Sequence, residues 1–278
     1  MTVSRLSADA QPRLQGSDIT IALKGVSKSF ETRGRTVKAL DTIDLVVREH
    51  EFVALVGPSG CGKSTVLNML AGLMEPTTGE VTYRGERVSG ANRRVGYMTQ
   101  KDTLLPWRTV EDNIGIALEL RCRSSEAGER GARLGEIIDL VGLNGFEKHY
   151  PSEISGGMRK RAALARMLIY EPETLLLDEP FGALDAQLKI IMQRELLRIT
   201  RLRNMTVVFV THDLAEAITL ADRVCVFSGR PGGIRAEREV LATEPRDVVG
   251  MRFTPEFGAL AEDLWNELKD DVGKELAT

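Results

Sequence analysis

The run GPSGCGKST, Gly57 to Thr65, follows the apolar stretch EFVALV directly and opens the helix-prone segment TVLNMLAGL. In that setting of strand, glycine turn and helix, a G-x-x-x-x-G-K-[ST] match carries chemical meaning. The glycines let successive backbone N–H groups turn inward around phosphate oxygens, and the helix N-terminus adds the positive end of its dipole. Gly57, Pro58, Ser59, Gly60, Cys61, Gly62, Lys63, Ser64 and Thr65 are therefore the expected phosphate cradle. Lys63 is expected to reach the β and γ phosphates and Ser64 to ligate Mg2+. A thiol beside a helix start has a tendency toward a lowered pKa, and Cys61 is expected to be shielded by bound nucleotide.

Paired acids end a second apolar run, TLLLDEP. Asp178 is placed to hold Mg2+, directly or through water, while Glu179 is placed to polarise an attacking water. A third run ends in FVTHD, where His212 comes within reach of the γ phosphate or of Glu179.

The elements that must position these residues are legible from patterning. Between ITIALKGVSKSF and VTYRGERV, short β-branched segments separated by turn residues read as strands, TIDLVV and EFVALVG among them. From Asp102 to about Tyr150 the texture changes to helical periodicity, in VEDNIGIALEL and again in ARLGEIIDLVGL. RKRAALARMLIY favours helix by its Ala and Leu content, and Leu188, Met192, Leu196, Ile199 and Leu202 step along one helical face. TLLLDEP and TVVFVTHD read as buried parallel strands whose C-terminal ends carry chemistry. Strands alternating with helices indicate an α/β sheet. The expected organisation is a mobile polar tail over 1–18, one domain over 19–240 with a helical lobe at about 102–165, and a charged helical tail. That tail is expected to begin near 236 and to fill 241–278.

Composition removes several classes of function. With 278 residues, 42% of them hydrophobic, the chain can bury a full core. The formal charge of -3 gives no global basic field, so nucleic acid is not an expected partner. Cys61, Cys122 and Cys225 are scattered and odd in number, which fits a reducing compartment better than a disulfide framework. No apolar run approaches a bilayer-spanning length, and the polar start lacks the apolar core of a signal peptide. Work at a membrane is expected to run through a partner.

The family follows from EISGGMRKR, residues 153–161, placed after the helical segment and shortly before LLLDEP. Ser155, Gly156 and Gly157 resemble the signature of ATP-binding cassette (ABC) ATPases, with Ile154 and Met158 departing from the commonest form. The resemblance covers about residues 19–240. It implies a phosphate-loop NTPase core with a mixed, mainly parallel sheet, an antiparallel β subdomain and a helical signature subdomain. It also implies ATP and Mg2+ as ligands, and a second copy of the chain whose nucleotide meets Ser155, Gly156 and Gly157.

Under the same resemblance, Phe30 matches the aromatic that stacks on adenine. Gln100 matches the glutamine that links Mg2+ and the attacking water to the helical lobe, and Asp185 matches a loop crossing the dimer interface. KDTLLPWRTVEDNI, SGGMRKRAALAR and LDEPFGALDA look like the ATPase subunits of nitrate, sulfonate and taurine importers. That similarity implies an integral membrane permease docking near Leu104, Leu105, Pro106 and Trp107. It further implies a solute-binding protein acting indirectly and a place on the cytoplasmic side of the membrane. An exporter subunit, a cassette serving DNA repair or translation, and a phosphate-loop kinase or switch are the competing readings. Long coiled coils or a second cassette would mark the repair and translation relatives, and neither occurs in this sequence.

Overall fold

A computed structural model describes residues 18–276 except 33, 102, 122–126, 183 and 243–244. The expected N-terminal tail, apart from Asp18, and Cys122 lie outside the described residues. Two sheets organise the chain. A six-stranded sheet has the order β10(Ile234–Glu239), β9(Arg223–Phe227), β3(Phe52–Val56), β8(Thr206–Thr211), β7(Thr174–Asp178), β6(Val95–Met98). Its strands β9, β3, β8, β7 and β6 run parallel, and β10 joins the edge antiparallel. A four-stranded antiparallel sheet has the order β2(Arg35–Arg48), β1(Ile19–Thr32), β4(Thr78–Tyr83), β5(Glu86–Arg87).

Burial on both faces explains the unbroken apolar runs of the central strands. In β3, Val53 and Leu55 face one cluster with Val66, Leu67 and Leu70 of α1(Lys63–Leu70) and with Ile21, Leu23 and Leu45 of the antiparallel sheet. Phe52, Ala54 and Val56 face the other cluster. That second core takes side chains from α2(Val110–Arg121), α3(Ala127–Leu140), α4(Gly156–Leu168), α5(Ala186–Leu202), α6(Leu214–Leu220) and α7(Pro255–Leu276). Parallel strands reach the same edge together, so Val56 pairs with Thr211 and Asp178 with Val210. Gly57, Glu179 and His212 consequently leave the sheet side by side, where parallel α/β sheets place ligands.

Within the fold, the structure departs from the sequence expectations over the segment from 236 and at Leu202. The segment from 236 does not start a helical tail: β10 runs to Glu239 and alternates half-buried and exposed residues against β9. The terminal helix α7 is docked, with Leu264 and Leu268 buried in the large core and Asp271 paired to Arg235 at 2.6 Å. Leu202, the last residue of α5, is 71% exposed, whereas Ile199 before it and Met205 after it are buried in the large core.

Candidate functional site

The phosphate loop closes α1 at Gly62, whose φ of 101° lies in the left-handed region. A Cβ there would come within 2.4 Å of Leu40 Cδ2, so glycine is required both by conformation and by space. Lys63 is buried and folds back over the loop, its Nζ donating to the carbonyls of Gly57 at 2.8 Å and Pro58 at 2.7 Å. Ser59, Gly60 and Ser64 are exposed on the rim, Pro58 is buried, and Thr65 is half-buried. Cys61 corrects the shielding expectation. Its thiol is fully buried by the fold itself, against Gly57 and under the α1 core, so nucleotide has nothing left to cover.

At the end of β7 the backbone turns sharply. Glu179 has φ of 49°, uncommon for a residue with a side chain, and its N–H donates to Val210 O at 3.0 Å. The turn separates two neighbouring acids. Asp178 points inward, 4% exposed and hydrogen-bonded to the Ser64 hydroxyl, while Glu179 opens toward solvent. Burial pushes the Asp178 pKa upward and the Glu179 charge adds to this, against the Ser64 hydrogen bond and the Lys63 and Lys160 charges.

Both Glu179 oxygens have partners. Gln100 Nε2 donates to Oε2 at 3.3 Å, and His212 Nδ1 lies 3.3 Å from Oε1. Residues from three strand ends, β6, β7 and β8, thus meet on one carboxylate. Among the described residues no cluster of three or more His, Cys, Asp or Glu side chains forms a metal cage. A divalent cation held by Ser64 and Asp178 needs further oxygens from phosphate and water, which suits Mg2+.

Ser155 caps α4, its Oγ accepting from Met158 N at 3.2 Å. Gly156 does not owe its identity to the chain's own packing. A Cβ at Gly156 would meet nothing nearer than the Arg159 guanidinium at 3.6 Å, and its φ lies outside the left-handed region. Asp185 caps α5 by accepting from Leu188 N at 2.9 Å. Phe30 is 36% exposed and pairs across the sheet with Val37, which is 52% exposed, so the two form an open apolar platform. Lys28 Nζ lies 5.3 Å from the Phe30 ring centre.

The apolar patch after Gln100 is narrower than expected. Leu104 turns into the large core, while Pro106 and Trp107 are exposed and Leu105 half-buried. Asn113, which sequence reasoning missed, builds this turn. It is fully buried, accepts from Leu105 N at 2.7 Å and donates to the carbonyls of Leu105, Arg108 and Thr109 at 3.0, 3.0 and 2.9 Å. The available signal was a short polar residue four positions after Thr109, in the first turn of a helix.

A phosphate loop, a buried acid and an outward carboxylate held by Gln and His define a phosphate-loop nucleotide hydrolase, with a separate glycine-bearing helix start. The ABC transporter family model matches residues 40–182. An uncharacterised ABC transporter ATP-binding protein of Methanocaldococcus jannaschii is 45% identical over 93% of this chain and 94% of its own length. The aliphatic sulfonates import ATP-binding protein SsuB of Bacillus cereus is 42% identical over 84% and 92%. The nitrate import ATP-binding protein NrtC of Synechococcus elongatus is 44% identical over 83% of this chain and 35% of its own. The dimeric structure of a bacterial ABC transporter cassette fits with a TM-score of 0.74 at 32% identity, covering 80% of this chain and 100% of that one. The same cassette in a post-hydrolysis state bound to ADP and Pi also gives 0.74. The chain belongs to the ABC transporter family, as an ATP-binding cassette ATPase.

Proposed function

We propose that this ATPase energises the import of a small solute, an anion such as nitrate, a sulfonate, or taurine, through a separate permease at the cytoplasmic face of the membrane. Two copies close head to tail around two ATP molecules. Each nucleotide lies between the Gly57–Thr65 loop of one copy and Ser155, Gly156 and Gly157 of the other. The observation that carries this reading is Gly156: a helix start whose glycine answers no demand inside the chain is shaped for a group arriving from outside. Its dipole end and N–H groups suit a phosphate.

Within one copy, Phe30 and Val37 offer the adenine platform, and Lys63 exchanges its loop carbonyls for phosphate oxygens. Ser64, Asp178 and the Gln100 side chain would hold Mg2+, which would offset phosphate charge. Glu179 takes the proton from the attacking water, with Gln100 and His212 fixing its two oxygens. Asp185 stands at the start of α5, on the loop assigned to the facing copy. Loss of the shared γ phosphate releases the closed pair, and that reopening moves the permease.

Leu105, Pro106 and Trp107 form the permease contact, with Pro106 and Trp107 the exposed part of it. A solute-binding protein acts through the permease only. The importer reading draws support from the similarity to SsuB over 84% of this chain and 92% of that one. Reconstitution with the permease that co-purifies tests it: turnover rises when a binding protein loaded with sulfonate, taurine or nitrate is added to the outer face. Uptake in the opposite direction, or indifference to all three, overturns the importer assignment.

A further inference from the structure

The basic run Arg159-Lys160-Arg161 turns its three side chains onto three separate sets of backbone carbonyls. Arg159 donates to Ile154 O at 2.8 Å, bracing the turn before α4. Arg161 donates to Val141 O at 2.8 Å and Gly142 O at 2.6 Å, just past the end of α3. Lys160 donates from Nζ to the carbonyl oxygen of Gln100, the residue whose side chain holds Glu179.

Lys160 lies one helical turn inside α4 from Gly156 and is only 9% exposed. Six residues further along the helix, Arg166 donates to Thr103 O at 3.0 Å and to Thr103 Oγ1 at 2.9 Å. One helix therefore grips Gln100 and Thr103 at once. A buried ammonium is costly to keep, and helix formation does not call for it beside Ala162, Ala163 and Ala165. What it supplies here is a charge-assisted hydrogen bond to the backbone of a residue that reaches the reacting centre.

We infer that Lys160 is a positioning residue: it fixes the Gln100 backbone to α4, so that a shift of the helix start also moves the Gln100 side chain against Glu179. Engagement of Ser155 and Gly156 with the facing copy's nucleotide is thereby reported to the chain's own carboxylate through one rigid helix. The inference rests on the roles proposed for Gln100 and for Ser155 to Gly157.

The test uses the full chain and four variants: Lys160→Met, Lys160→Arg, Gln100→Ala and the double variant Gln100→Ala with Lys160→Met. Loss of the tether costs about tenfold in kcat with KM for ATP within about twofold, the pattern of a misplaced group rather than a lost binding contact. Lys160→Arg, which keeps a donor, recovers most of that loss. The double variant is no slower than Gln100→Ala, because Lys160 acts through Gln100. A Lys160→Met enzyme within about twofold of the parent in kcat, a change confined to KM, or losses that multiply in the double variant overturns the inference. Should the methionine variant not fold, Lys160→Ser gives up the same hydrogen bond and is read by the same outcomes. Parental turnover in Gln100→Ala sinks the site reading itself, whereas a slow Gln100→Ala beside an unaffected Lys160→Met sinks only the tether.

Discussion

Under the proposed mechanism, the chemistry of this chain concentrates within a few ångströms of Glu179. Its left-handed backbone turns the carboxylate away from buried Asp178, and Gln100 and His212 take one oxygen each. Replacing it by Gln removes the proposed proton acceptor while keeping shape. Glu179→Gln is expected to lower turnover by ~10²–10⁴-fold, or roughly 3–5 kcal/mol of barrier, with ATP still bound and the closed pair accumulating. Turnover beside equilibrium binding of ATP measures this, and a near-parental rate refutes the assignment. The cysteines make a second prediction at this scale. Cys61 and Cys225 are both fully buried, and burial pushes the Cys225 thiol up to about 12. Native alkylation followed by mass spectrometry is expected to spare both with or without ATP, and labelling of Cys61 that nucleotide suppresses would restore the shielding idea.

At the scale of elements, the two sheets are tied by Arg223 of β9. Its guanidinium pairs with Glu51 at 2.8 Å and with Glu237 of β10, and reaches the Val46 carbonyl of β2 in the other sheet. Burial opposes its charge, yet Glu51, Glu237 and the neighbouring Cys225 raise the Arg223 pKa overall. Removing the cation leaves a Glu51 side chain that is only 8% exposed with Arg48 as its remaining partner, through the backbone N–H at 2.7 Å and the guanidinium at 3.7 Å. Arg223→Ala is expected to cost about 3–5 kcal/mol in urea unfolding, as the loss of one partner of a buried pair does. The turn after Gln100 carries the other prediction. With Leu104 committed to the core and Trp107 71% exposed, the indole is the largest apolar group that turn presents. Trp107→Ala is expected to weaken permease co-purification while ATP turnover of the isolated subunit changes little. Unchanged co-purification retires the docking site.

For the whole molecule, the decisive feature is that the phosphate loop and the helix start of α4 serve different nucleotides under the proposed cycle. Mixed pairs test it. Lys63→Ala and Gly157→Asp are each expected to be nearly inactive alone, since each damages one half of every centre. Mixed in equal amounts they form pairs with one intact centre, so about a quarter of parental turnover returns if the two centres act independently. No recovery on mixing contradicts a centre shared between copies.

By itself the sequence determined the strand, glycine turn and helix of the phosphate loop, the acids at the end of TLLLDEP and the helix that follows the glycine pair at Gly156 and Gly157, because these are set mainly by residue types close together along the chain. Tertiary structure decided the rest. Cys61 and Leu104 are buried, Leu202 is exposed, β10 extends the sheet, and Lys160 reaches Gln100 across 60 residues of chain. Each of these depends on which distant segment packs against it, and periodicity along a chain records the face a residue takes, not the partner it meets there.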